Sequence, residues 1–409
     1  MATLLPFRAH RYSPQAGDLN ALLTQPYDKI SGPMQARYLG LSPYNLVRII
    51  LGQRFPGDTA DANVYTRARG YLEDWTARGI LAQDAQPSLF AYSQEFEVPD
   101  TGERVVRQGF IGLAPVEEYS AGVVHRHEQT LSGPKQDRLE LLRHTRAHCE
   151  QIFLIYPDPQ GAVDALLAES AASPPLAEVT DEYAAVHRLW RIVEPDRVAA
   201  IVRLMSDKKL LIADGHHRYE TALAFRRENP DLESARWLMA TFVNMYSPGL
   251  RILGTHRALS GLGDFDEAAF LERLRGGFQV SRLESVEALR RAWSQPHDAT
   301  VRIGARLASG ALYLVETPRG PGDLDVLVLH QRIIAGVLGI GEDAVRKETY
   351  IRYLRGAEAA VASDAQIAFL LEPASVEQVG RVAFSGGVMP QKSTDFYPKL
   401  LSGLTFYKL

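Results

Sequence analysis

The chain has 409 residues, 46% of them hydrophobic, 9% aromatic and 23% charged, which is enough for two or three domains with proper cores. Its 45 basic and 49 acidic residues leave a net charge of −4, against the basic excess of a dedicated nucleic-acid binder. A single cysteine, Cys149, excludes an internal disulfide and suits a reducing compartment.

The opening "MATLLPFRAHRYSP" has an apolar run too short for a secretory signal, and Arg8 breaks it. No apolar run approaches the roughly 20 residues of a membrane helix. A cytoplasmic protein with neither a membrane nor a nucleic acid as partner is the expectation.

In chain order, "YNLVRIIL" reads as a strand and Val64–Arg78 as a helix, followed by strands at "SLFAYSQEFEV" and "RVVRQGFIGLA". A helix over Asp137–His148 runs into a strand at "QIFLIYP", with Cys149 between them as a small buried hydrophobe. Helix Pro195–Ser206, strand "KKLLIADG", helix His216–Glu228 and strand "SARWLMATFVNM" come next. The C-terminal part holds strands at "LRILGTHRAL", "ATVRIGARL", "ALYLVETP" and "QIAFLLEP", with helices at Asp266–Gly276, Leu324–Val337 and Val376–Phe384. Several strands follow one another directly, so the class is mixed α/β or α+β and not a doubly wound sheet. The expected division is an N-terminal α/β region 1–87, a central core 88–260 bearing the chemistry, and a C-terminal α/β region 261–409.

The densest chemistry lies in "LLIADGHHRYETALAF". Asp214 ends a buried strand, Gly215 gives the turn, and His216, His217 and Arg218 fill the first turn of a helix, with Tyr219 on the same face as Ala222 and Leu223. Basic side chains there oppose the helix dipole and cost stability unless an anion is bound, and a phosphate suits the free N–H groups of that turn. The competing explanation is a surface and a core histidine satisfied by nearby carbonyls. Asp, Gly and Arg at one strand-to-helix turn weigh against it.

A second cluster, "VVHRHEQTLSGPKQDRLELLRH", places His127 and Glu128 on a loop before a helix that opens with Lys135, Asp137 and Arg138. A carboxylate among cations can serve as a general base or hold Mg²⁺ with a phosphate, although a solvated loop and a charged helix would read the same way. Near the C-terminus, "MPQKSTDFYPK" offers Lys392, Ser393 and Thr394 as donors for phosphate oxygens, with Lys399 nearby. An ordinary ordered terminus explains that segment equally well. "GTHRAL" adds Arg257 as a candidate for a substrate carboxylate. The spacing His125–His127 leaves a zinc site open, but H-E-x-x-H, a Walker A loop and G-x-G-x-x-G after a strand are all missing.

At "DGHHRYETA" the chain resembles the ParB/sulfiredoxin-like superfamily, in which a strand, a glycine turn and a basic helix start bind phosphoryl groups. The sulfiredoxin cysteine position is His216 here, and no helix-turn-helix stands out. Three segments in order resemble the free-serine kinase branch of that superfamily: "HEQ" at 127–129, "DGHHR" at 214–218 and "PQKST" at 390–394. That resemblance implies Glu128 as general base, Asp137 as a second acid and Asp214 as Mg²⁺ ligand. It also implies a donor site on Gly215, His216, His217, Arg218, Lys135, Arg138, Lys392, Ser393 and Thr394, with His127, Tyr219 and Arg257 toward the acceptor. The spacing of the first two motifs is longer here, and the N-terminal region has no counterpart in the smaller kinases. Over its whole length the chain looks like a widespread bacterial family, some long members of which resemble pyrophosphate-dependent serine kinases.

The resemblance implies phosphoryl transfer to the hydroxyl of free L-serine, giving O-phosphoserine. The donor is expected to be pyrophosphate, ahead of an adenine nucleotide (ATP or ADP). A ParB-like nucleotide-binding regulator and a metal-dependent phosphohydrolase are the alternatives.

Overall fold

The computed structural model describes residues 3–99, 101–128 and 132–409. The chain forms two compact units: residues 1–251 together with 398–409, and residues 252–397. The expected break near Pro87 therefore lies inside the first unit, and the expected break near Ser260 lies shortly after the chain has entered the second.

Among the described residues, the first unit is built on an eight-stranded mixed sheet. Its order is Val124–His125, Leu210–Asp214, Ile152–Tyr156, Trp237–Asn244, Arg104–Pro115, Leu89–Glu97, Val186–Ile192 and Ala177–Thr180. Leu210–Asp214 is parallel to Val124–His125 and antiparallel to Ile152–Tyr156, whereas Trp237–Asn244 is parallel to Ile152–Tyr156. The central strands are apolar at nearly every position, because helices cover them. Leu154, Leu210, Ile212 and Phe242 meet Val163 and Leu167 of helix Ala162–Ser170, Ile201 and Met205 of helix Pro195–Met205, and Tyr219 and Leu223 of helix His216–Glu228 in one core. Each such Leu or Ile contributes about 1.5–3 kcal/mol by leaving water.

The last residues belong to this unit as well. Tyr407–Lys408 pairs antiparallel with Ala147–His148, and Thr24 and Ser402 exchange backbone hydrogen bonds. The second unit has a six-stranded sheet among its described residues, in the order Gln279–Leu283, Leu312–Pro318, Thr300–Leu307, Ile367–Leu371, Thr255–Leu259 and Ile351–Arg355. Its neighbouring strands run antiparallel.

The mixed α/β class is as the sequence indicates. One expected strand is corrected: "YNLVRIIL" contains a short helix, Val47–Ile50, opened by Asn45, whose side-chain oxygen accepts from the Val47 N–H. Val47, Ile49 and Ile50 are fully buried, and a short apolar run carries no period that separates a buried strand from a buried helical turn. The helix expected from Asp137 begins earlier, at Ser132, and ends at Thr145. Asp325–Val328 continues as a wider π-helical stretch over Leu329–Val337.

Candidate active site

The site grows from one irregularity in the first unit's sheet. Strand Leu210–Asp214 keeps register with Ile152–Tyr156 as far as Ile212 and then shifts before Asp214. A bulge of this kind re-aims the side chain that follows it. Gly215 then takes φ +95°, and a Cβ there would lie 3.1–3.2 Å from the Arg218 guanidinium. Both the backbone conformation and the close approach call for glycine. Helix His216–Glu228 starts at once with no side-chain cap, so its first-turn N–H groups and the positive end of its dipole face the turn.

Two cations converge on Asp214. Lys399 Nζ lies 2.9 Å from Oδ1, and Arg218 Nη2 lies 2.8 Å from Oδ2. Burial pushes this carboxyl up, but the charges of Lys399 and Arg218 overcome it and hold the group well below the usual carboxylate range. Arg218 also donates from Nη1 to the Gln151 carbonyl. Breaking a buried ion pair costs about 3–5 kcal/mol, because the remaining charge keeps its desolvation cost and loses part of its compensation.

Lys399 is held by a buried polar layer. Gln94 Nε2 donates to the Lys399 carbonyl at 2.8 Å, and Arg107 Nη2 donates to the Pro398 carbonyl at 2.5 Å. Arg107 Nε in turn donates to Gln94 Oε1 at 3.0 Å. The Arg107 guanidinium is 4.7 Å from the centre of the Phe153 ring, and burial brings its pKa down to about 10. Lys399 comes from a stretch nearly two hundred residues beyond Asp214, which no local motif announces. Its sequence signal is a lysine between Pro398 and the apolar pair Leu400–Leu401.

His127 and His216 are buried, and burial favours their neutral form. His127 Nδ1 donates to the Ile212 carbonyl at 2.8 Å, and burial lowers its pKa to about 4. Its ring stands edge-on to that of His216, with centroids 4.8 Å apart. Burial, then the neighbouring His127, lowers His216 well below the ordinary histidine value. His216 Nε2 has no hydrogen-bond partner among the described residues, an uncommon state for a buried ring nitrogen. His217 is half-buried in the same turn, and Glu128 is half-buried next to His127 in the chain. Gln129 of "HEQ" lies outside the described residues.

The other predicted site residues have partners of their own. Lys135 forms an ion pair with Glu220, which Arg126 also approaches at 3.5 Å. Asp137 pairs with Arg54 at 2.6 Å, with Arg138, and accepts from the Tyr65 hydroxyl at 2.9 Å. Arg138 is buried and donates to the Ile50 carbonyl at 2.6 Å, with Glu150 at 3.7 Å. Tyr219 is fully buried, and its hydroxyl donates to the Glu117 carbonyl and accepts from the Glu117 N–H, so it is part of the core.

Arg257, Lys392, Ser393 and Thr394 belong to the second unit. There Arg257 is buried and donates to the Thr255 and Lys392 carbonyls. Lys392 is exposed with φ +57°, and the Ser393 hydroxyl donates to the Pro390 carbonyl at 2.6 Å. Cys149 is buried and burial pushes its thiol up to about 12, which keeps it an inert core residue.

A mixed α/β protein with a half-buried, charge-lined strand-to-helix turn is the class that fold and site define. The chain belongs to the family described as a protein of unknown function, DUF1015, whose profile matches residues 4–337. No curated protein matches it in sequence. Among solved structures it is similar to a conserved hypothetical protein from Pyrococcus furiosus (14% identity, TM-score 0.37, covering 72% of this chain and 93% of the other). It is also similar to a free serine kinase variant in complex with ADP (14% identity, TM-score 0.37, 71% and 91%). A third similar structure is SbnI with a C-terminal truncation from Staphylococcus aureus (11% identity, TM-score 0.36, 71% and 85%). Among the described residues, no helix is long and apolar enough to cross a membrane.

Proposed function

We propose that the first unit is a small-molecule kinase that moves a phosphoryl group from a polyphosphate donor to the hydroxyl of free L-serine. One observation carries the proposal: the half-buried Asp214 carboxylate is shared by Lys399 and Arg218 at the uncapped start of a helix, beside the His216 Nε2 that has no partner among the described residues. Phosphoryl transfer asks a protein chiefly for position and for charge on the moving group's oxygens. A helix N-terminus, two cations and neutral imidazoles meet that demand. The ordered resemblance of "HEQ" and "DGHHR" to the free-serine kinase branch selects serine as acceptor.

In this scheme Glu128 accepts the hydroxyl proton as the serine oxygen attacks the terminal phosphorus, and the bond from that phosphorus to the donor's bridging oxygen breaks. Arg218, Lys399, His216, His217 and the helix N–H groups hold the transferred group. His127, fixed through the Ile212 carbonyl, keeps His216 in place. Asp137 is a positioning acid that joins Arg54, Tyr65 and Arg138.

Each Asp214 oxygen keeps a lone pair beyond the one its cation takes, which fits Mg²⁺ bound by one carboxylate together with substrate phosphates. When bound, Mg²⁺ neutralises charge on the donor oxygens. Pyrophosphate is the donor proposed first, because the sequence has no Walker A or dinucleotide loop, with ATP and ADP next.

The test incubates the purified full chain with L-serine, Mg²⁺ and pyrophosphate, ATP or ADP separately, and reads phosphoserine by ³¹P NMR and mass spectrometry. Product from one donor, reduced about 10²–10⁴-fold by Glu128→Gln, is the expected result. Folded protein that makes no phosphoserine from any donor sinks the proposal. Phosphate release without phosphoserine would make the protein a hydrolase.

A further inference from the structure

The second unit carries chemistry that the serine kinase scheme does not use. In its sheet, Thr300–Leu307 lies between Leu312–Pro318 and Ile367–Leu371, antiparallel to both. The segment entering the middle strand and the segments leaving its two neighbours therefore gather at one end of the sheet. His297 stands on the first of these, Asp325 on the second and Glu372 on the third. One ligand-capable atom from each lies within 4.8 Å of the others. They open onto a cavity of about 850 Å³, also lined by Asp298, Arg319, Asp323 and Arg381, a volume in the range of small-ligand sites.

The charges in this corner do not balance. Arg319 pairs with Asp325 at 2.7 Å, and His297 Nε2 lies 2.8 Å from a Glu372 oxygen. Asp323 accepts from the Gly320 N–H at 2.9 Å, and Asp298 adds a further carboxylate to the wall. The wall of the cavity carries the carboxylates of Asp298, Asp323, Asp325 and Glu372 against the guanidinium groups of Arg257, Arg319 and Arg381, an acidic excess that a cation would offset. An imidazole nitrogen with two carboxylate oxygens is a donor set for a borderline divalent ion such as Zn²⁺ or Mn²⁺, whereas Mg²⁺ and Ca²⁺ favour oxygen alone. His297 Nδ1 is already held by the Gln295 carbonyl at 2.7 Å, the outer contact that usually orients a metal-binding histidine, and Nε2, 2.8 Å from Glu372 Oε2, is the atom turned toward the two carboxylates.

We propose that His297, Asp325 and Glu372 bind a divalent transition-metal ion, Zn²⁺ or Mn²⁺, at the wall of this cavity. Three protein ligands leave coordination positions open to the cavity. An anionic group held by Arg381 could complete them. The site lies wholly within the second unit and stands whether or not the first unit phosphorylates serine.

The test uses the full chain carrying Asp214→Asn, so that the first unit's carboxylate does not contribute. Bound Zn²⁺ is counted by elemental analysis after gel filtration, and Mn²⁺ by the loss of its free-ion EPR signal. One equivalent is expected, with affinity falling about 10- to 100-fold or more in Glu372→Gln and in His297→Ala, since loss of even an outer partner costs that much. No bound ion, or an ion retained unchanged by both folded variants, overturns the proposal and leaves His297–Glu372 an ordinary hydrogen bond. Should a variant unfold, X-ray absorption at the zinc edge of the Asp214→Asn protein decides the matter. One imidazole and oxygen ligands support the site, and any other shell overturns it.

Discussion

Two stretches of this chain offer phosphate-binding side chains in a row, and the structure treats them differently. At Asp214–Arg218 a bulge, a left-handed glycine and an uncapped helix start bring the Arg218 guanidinium onto the Asp214 carboxylate, where Lys399 joins it from far along the chain. At Lys392–Thr394 the lysine is exposed with positive φ and the serine hydroxyl is bonded to the carbonyl of Pro390. The first is a convergence of two cations on one carboxylate. The second, read by its local bonds, is a turn. Composition alone does not separate the two; backbone geometry does.

The largest expected effect comes from removing the centre of the first stretch. Asp214→Asn removes the carboxylate charge that Lys399 and Arg218 share. Serine phosphorylation should fall by about 10³-fold or more, and the first unit should lose about 3–5 kcal/mol in urea unfolding. Lys392→Ala, made in parallel, should cost the fold less than about 0.5 kcal/mol, as exposed substitutions do. Equal losses of stability at the two positions would erase the distinction.

A smaller effect tests whether Lys399 is presented by the layer beneath it. Gln94→Leu removes the donor to the Lys399 carbonyl and the acceptor of Arg107. Misplacing a charge by about 1 Å costs on the order of 10² in rate. The loss should appear in kcat with the folded state retained. Lys399→Ala should cost no more than the same loss when added to Gln94→Leu. Additive losses would mean that the two residues act independently.

These comparisons also mark what could be read in advance. The Asp-Gly-His-His-Arg turn was legible because its parts are adjacent: an apolar strand, a glycine and a helix start fix each other within a few residues. Lys399 was not, because its meeting with Asp214 depends on the chain's return to the first unit at Pro398. Tyr219 shared the helix with His216, and its helical period with Ala222 and Leu223 already placed it on the core face, where it lies. Asp137 follows Glu128 closely in sequence, but its helix turns it toward Arg54 and Tyr65. The trio His297, Asp325 and Glu372 is spread over 76 positions, and only the order of three strands brings it together.

Acid should expose the turn's buried imidazoles. His127 has a folded pKa of about 4 against an ordinary value of 6.5. Between these values the unfolded chain binds a proton that the folded chain refuses, so stability rises with pH across the window and is lost as pH falls from about 6.5 toward 4. His148 and His256, also lowered to about 4 by burial, add to the same slope. In His127→Asn the urea midpoint should fall less between pH 7 and pH 4.5 than in the parent, by about 1–3 kcal/mol in stability. An unchanged slope would mean that His127 is protonated in the folded protein.

The smallest effect concerns the acid assigned a supporting part. Asp137 is partly exposed, and its pKa is lowered: burial pushes it up, but the Arg138 charge and the hydrogen bonds from Arg138 and Tyr65 prevail. Asp137→Asn keeps the shape and an acceptor for Tyr65 while removing the charge that Arg54 and Arg138 share. A carboxylate that only positions its neighbours should lose less than about tenfold in kcat, with the pH profile of the reaction unmoved. A carboxylate that exchanges protons with substrate would lose about 10²–10⁴-fold and one limb of that profile. The Asn variant measured across pH therefore separates a residue that touches the reacting group from one that holds Arg54 and Arg138 in place.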